Sequence, residues 1–129
     1  MSVRSLLTIS VLTLAACGDD GGDGPVDARP GIDARAATVM TVTCPSTAVP
    51  TITTQATSFD MSMLTITRGS TVKFISTATH PVGPFPGGQM TDPGIVVPEG
   101  QTRCLMFTAT GTFKFICTVH SYAGTITVN

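Results

Sequence analysis

The 129 residues include seven Lys and Arg against eight Asp and Glu, a formal charge of −1, with no Trp and only two His. That balance lacks the basic stripe nucleic-acid binding needs, and it creates no field for a strongly charged partner. The length, with 42% hydrophobic residues, leaves room for one small globular domain.

Residues 1–16 are organised as an export leader. Arg4 is followed by the apolar run Leu6, Leu7, Ile9, Val11, Leu12 and Leu14, which is too short to span a bilayer and ends in small residues. Leu14-Ala15-Ala16-Cys17 resembles a bacterial lipobox, in which the Cys is acylated after cleavage; the plainer reading is an ordinary signal cleaved near Ala16. On the first reading Cys17 carries lipid, and the protein is exported and held in the cell envelope. Gly18 favours the outer membrane over the periplasmic face of the inner one. Residues 17–36 are rich in Gly, Asp and Pro, with five Asp against Arg29 and Arg35. Such a stretch buries too little surface to offset its ordering entropy and reads as a flexible acidic linker.

The domain spans residues 37–129 and is rich in Thr, Val, Ile and Phe, punctuated by Gly and Pro. No segment has sustained helical spacing, so the fold is expected to be all-β, a Greek-key β-sandwich of about seven to eight strands. Val39 to Cys44 is a first strand, and Thr51 to Thr57 a short edge segment. Leu64-Thr65-Ile66-Thr67 alternates, Arg68-Gly69-Ser70 turns, and Thr71 to Ile75 runs back. The pattern predicts a β-hairpin with Leu64, Ile66, Val72 and Phe74 inward. A long loop from Ser76 to Gly94 follows; loops of that length in small domains are commonly functional. Ile95 to Val97, Thr102 to Thr108, Phe113 to Cys117 and Gly124 to Val128 complete the strands.

Both His lie just beyond predicted strands: His80 in the long loop, and His120 three residues after Cys117. A thiolate at a strand end with an imidazole on the next turn offers one soft and one borderline donor in nearly fixed positions. Each signal alone is weak, since a Cys-x-x-His pair arises often by chance and a His before Pro is usually a surface residue. A sandwich, however, brings such loops together at one end, and His80, Cys117 and His120 would form the N2S set of a type 1 copper plane.

The segments Thr67 to Phe74, His80-Pro81-Val82, Pro98 to Gln101, Gly111 to His120 and Gly124 to Val128 resemble, in order and spacing, the plastocyanin and amicyanin branch of the cupredoxins, from about Phe59 to Val128. The resemblance implies a sandwich that holds one copper ion with His80, Cys117 and His120. It also implies single-electron exchange with redox protein donors and acceptors by a monomer, not an enzyme. His80-Pro81 departs from the family's commoner His-Asn, so proline supplies no amide toward the sulfur. The Met that follows the second His in these relatives is absent, with Ala123 near its place. Three arrangements stay open: a three-coordinate ion, a Met from elsewhere (Met90 foremost, with Met61 and Met63 behind it), or a carbonyl or water. Without a thioether the potential is expected to lie above that of a Met-ligated relative.

With Cys17 assigned to lipid and Cys117 to metal, Cys44 and Cys104 remain for a disulfide in an oxidising compartment, the alternative being two buried thiols. Met40, Met61, Met63 and Met106 read as core filler, and Tyr122 and Phe85 as shields for the copper. Two competing functions are copper delivery without a main redox role and a metal-free structural β-sandwich. Two His are too few for a multicopper oxidase.

Overall fold

In a computed structural model, residues 37–88 and 90–129 are described; the leader, Cys17 and the linker lie outside them. Eight strands follow in chain order: β1 (Val39–Val42), β2 (Thr51–Thr53), β3 (Met63–Ile66), β4 (Thr71–Ile75), β5 (Val82–Pro84), β6 (Thr102–Phe107), β7 (Gly111–Cys117) and β8 (Ala123–Val128). They form two four-stranded sheets, ordered β1-β6-β4-β2 and β3-β8-β7-β5. No helix occurs among the described residues, so the all-β sandwich expected from the strand pattern is the architecture observed.

The period-2 alternation of a strand places every second side chain on one face, and each sheet here turns its apolar set inward. Phe113, Phe115 and Cys117 of β7, Ile126 and Val128 of β8, Val72 and Phe74 of β4, and Leu105 and Phe107 of β6 are all buried in one core. Edge-on ring packing organises its centre: Phe115 lies 4.7 Å from Phe59 and 5.3 Å from Phe74 between ring centroids. Gly124 pairs with Phe115 across β7 and β8, and a Cβ there would overlap the Cζ end of the Phe115 ring. A glycine is what lets that phenyl group lie flat against the strand.

Several expectations need correction. Strands β3 and β4 are not a hairpin: they belong to different sheets, and Arg68-Gly69-Ser70 carries the chain across the sandwich. Gly69 has φ of 85°, and the corner is tied to both sheets by Arg68 N–H donating to Asn129 O (2.9 Å) and Gly69 N–H to Phe107 O (2.7 Å). Ile66, Val72 and Phe74 face the core as expected while Leu64 is only partly covered; inward alternation is the same whether the partner strand lies beside or opposite.

Ile95 to Val97 is not a strand but a loop that buries Ile95 and Val97 and exposes Val96, with a single bridge from Val97 to Val82. The flanking Pro93 and Pro98 have no amide to donate to a ladder. That loop is pinned by Asp92, which is fully buried and accepts from Thr38 N–H (2.7 Å), Thr38 Oγ1 (2.8 Å) and Gly94 N–H (2.8 Å). Strand β5 occupies the middle of what reads from sequence as a long loop. Three of the methionines expected as core filler are not: Met40, Met61 and Met63 are exposed, because they occupy outward positions or loops, while Met106 on β6 is half-buried.

Cys44 and Cys104 are bonded to each other, 60 residues apart in sequence, and Cys117 is the free thiol among the described residues. The bridge fastens the segment after β1 to β6.

Candidate metal centre

Cys117 is the last residue of β7, and its side chain is fully buried on the core face. The chain then reverses in a tight turn in which Ser121 N–H donates to Cys117 O (2.9 Å) and Cys117 N–H to Tyr122 O (2.9 Å). Ser121 takes φ of 60° to complete it. This turn holds His120 beside the sulfur. On the other side, Val82 of β5 pairs with Cys117, and Thr118 N–H donates to Pro81 O (3.0 Å). Pro81 thus joins the ladder through its carbonyl although it has no amide, and His80 is brought to the end of β7. His80 itself is fixed by its N–H to Thr77 O (3.1 Å) and by the Ser76 hydroxyl donating to its carbonyl (2.8 Å). Thr79, with φ of 70°, is left-handed. Non-glycine residues in that region cost about 1 kcal/mol or more each, and here one adjoins each imidazole.

One ligand atom each from His80, Cys117 and His120 lies within 4.8 Å of the others. The sulfur is 3.9 Å from His80 Nδ1 and 3.8 Å from His120 Nδ1. With metal–sulfur and metal–nitrogen bonds of about 2.3 and 2.05 Å, trigonal angles set sulfur–nitrogen separations near 3.8 Å and tetrahedral ones near 3.55 Å. The two sulfur–nitrogen separations match the trigonal value, and the two imidazole nitrogens stand within 4.8 Å of each other. The set contains no carboxylate, which disfavours hard cations, and a His2Cys triangle is the donor arrangement of a blue-copper site. The residues therefore fit copper, with His80 half-buried, Cys117 buried and His120 exposed.

Tyr122 belongs to the same cluster. Its hydroxyl donates to Gln55 O (2.7 Å) and lies 3.2 Å from His80 Nδ1, while its ring packs edge-on against Phe59 at 4.8 Å. The phenol is pushed above its ordinary pKa by burial first, then by hydrogen bonding to Cys117 and by electrostatic interaction with that residue. The sequence marks Tyr122 only as an aromatic near His120, and Gln55 not at all, because it acts through a backbone carbonyl. Two expected neighbours lie elsewhere. Phe85 sits beneath Lys114, whose Nζ is 5.7 Å from the ring centre. Met90 is about half exposed, and its carbonyl accepts from Lys114 N–H (2.6 Å), three residues or about 10 Å along β7 from Cys117.

No protein-family model and no curated protein matches the chain. Solved structures do. Amicyanin from Paracoccus versutus (Thiobacillus versutus) is 19% identical, with 73% of this chain and 100% of that one covered and a TM-score of 0.57. A reduced Cu(I) form, at pH 4, of an amicyanin mutant is 19% identical over 71% and 99% of the two chains, TM-score 0.57. Another amicyanin mutant, with Cu(I), is 18% identical over 71% and 99%, TM-score 0.54. The domain therefore has the cupredoxin fold, and His80, Cys117 and His120 form a candidate copper site within it.

Proposed function

We propose that this protein is a type 1 copper electron carrier, not an enzyme, tethered in the cell envelope through lipid on Cys17. The observation that carries the reading is the convergence of one sulfur and two imidazole nitrogens within 4.8 Å, from residues up to 40 positions apart in the sequence, on a cupredoxin fold. His80 Nδ1, Cys117 Sγ and His120 Nδ1 would hold the ion, which when bound supplies a Cu(II)/Cu(I) couple. The chain's own part is to keep those donors still. Cys117 is fixed by the β5–β7 ladder, His120 by the turn closed through Ser121 and Tyr122, and His80 by Ser76 and Thr77. Donors that do not move between oxidation states leave little rearrangement to slow an electron. Burial of the sulfur keeps water from it, while the exposed His120 imidazole, beside Val119 at 59% exposure, offers an edge where a redox partner can dock.

The test is the visible spectrum of the domain reconstituted with Cu(II), beside its Cys117→Ser form. The expected result is an intense thiolate-to-copper band in the first and none in the second. Two matching colourless spectra would end the copper reading. Rapid electron exchange with a small redox protein supports a carrier; transfer of Cu(I) to an acceptor without such exchange supports delivery instead.

A further inference from the structure

The cluster contains a fourth polar atom that the three-donor description does not use. The Tyr122 hydroxyl has one proton, and Gln55 O takes it at 2.7 Å. With that proton spent, the contact with His80 Nδ1 at 3.2 Å is satisfied in the tautomer whose Nδ1–H donates to a phenol lone pair. That same Nδ1 faces the Cys117 sulfur at 3.9 Å. Were Nδ1 to hold a metal, the ring proton would sit on Nε2, and the phenol lone pair would have no donor from His80.

The oxygen has little freedom to turn away. Its ring is packed against Phe59, and lies nearly parallel to that of His120, at 14° and 6.4 Å between centroids. Its backbone carbonyl closes the turn onto Cys117 N–H. From these contacts, and resting on the copper reading above, we infer that the neutral Tyr122 hydroxyl is the fourth, weak donor to the metal, held in place by the Gln55 carbonyl. It fills the role left open by the missing methionine, for which Met90, anchored opposite Lys114, is poorly placed. A phenol oxygen is a harder donor than a thioether and favours Cu(II) over Cu(I). The potential then lies below that of a site with three donors only, which reverses the upward shift expected from the absent thioether alone.

Tyr122 is the only tyrosine in the chain, so tyrosine labelled with 17O at the phenol marks a single atom. Electron–nuclear double resonance on the Cu(II) protein should show a resolved 17O coupling from a bound oxygen. In parallel, Tyr122→Phe should keep the visible band but weaken Cu(II) about tenfold with Cu(I) unchanged, raising the potential by about 60 mV. Absence of the 17O coupling overturns the ligand assignment, whether or not the potential moves, and this readout needs no variant to fold. An unchanged potential in a folded, copper-loaded Tyr122→Phe protein overturns it as well. A wild-type protein with no thiolate-to-copper band would refute the copper site itself, and is thereby distinguished from failure of the Tyr122 assignment.

Discussion

Removing the Cys44–Cys104 bridge tests how this fold is held together. The two residues are 60 positions apart, and closing a loop of that size in the unfolded chain removes about 14 cal/mol/K of entropy, or about 4 kcal/mol near room temperature. Cys104 is 1% exposed, so a double alanine variant also leaves a small void there, worth about a further 1 kcal/mol. For a domain of this size the combined loss of about 5 kcal/mol corresponds to a fall in Tm of roughly 20–40 °C. The assay is guanidinium unfolding of the metal-free Cys44→Ala/Cys104→Ala protein beside the wild type, with reduced wild type expected to match the variant within about 1 kcal/mol. The bridge lies in the sheet opposite β7, so the variant's Cu(II) spectrum should be unaltered while it remains folded. A stability loss below about 1.5 kcal/mol would refute the chain-entropy reasoning, and would mean that the reduced, unfolded chain is already compact.

Three other perturbations follow from particular contacts. Gly124→Ala should lower stability by about 2 kcal/mol, because its Cβ overlaps the Phe115 ring and the packed core cannot absorb it; an unchanged denaturation midpoint would show that the ring shifts freely. Asp92→Ala strips three donors, on Thr38 and Gly94, of a buried acceptor, with an expected loss of about 3 kcal/mol in chemical unfolding. Because the His120 side chain is exposed, His120→Ala should leave the metal-free protein within about 0.5 kcal/mol of wild type. It should also forfeit much of the stabilisation of about 4 kcal/mol that a ligand gives at a thousandfold excess over Kd, read as a smaller rise in Tm on adding copper.

Much of the strand content was legible because alternation is a local property: Phe113, Phe115 and Cys117 share a face whatever surrounds them. Strand partnership was not. The run from Leu64 to Phe74 satisfies a hairpin and a sheet-to-sheet corner equally well, and only the hydrogen bonds of Arg68 and Gly69 to opposite sheets distinguish them. The segment from Ile95 to Val97 looks like a strand by burial alone, yet its flanking prolines and the Asp92 anchor make it a loop. Methionine was misjudged for a related reason, since Met40 and Met63 are apolar residues on outward faces, and composition does not record which face a position takes.

By itself the sequence determined which donors exist: three cysteines in the domain, two imidazoles, one phenol, and the three-residue spacing between Cys117 and His120. It also determined the alternating strands that can carry them. Tertiary structure decided that His80, 37 residues before Cys117, comes within 3.9 Å of its sulfur, and that the Tyr122 hydroxyl, donating to Gln55 O, lies 3.2 Å from His80 Nδ1. Those contacts join segments far apart in the chain. Their distances depend on how two sheets pack and which carbonyl faces which loop, and a backbone carbonyl is the same at every residue.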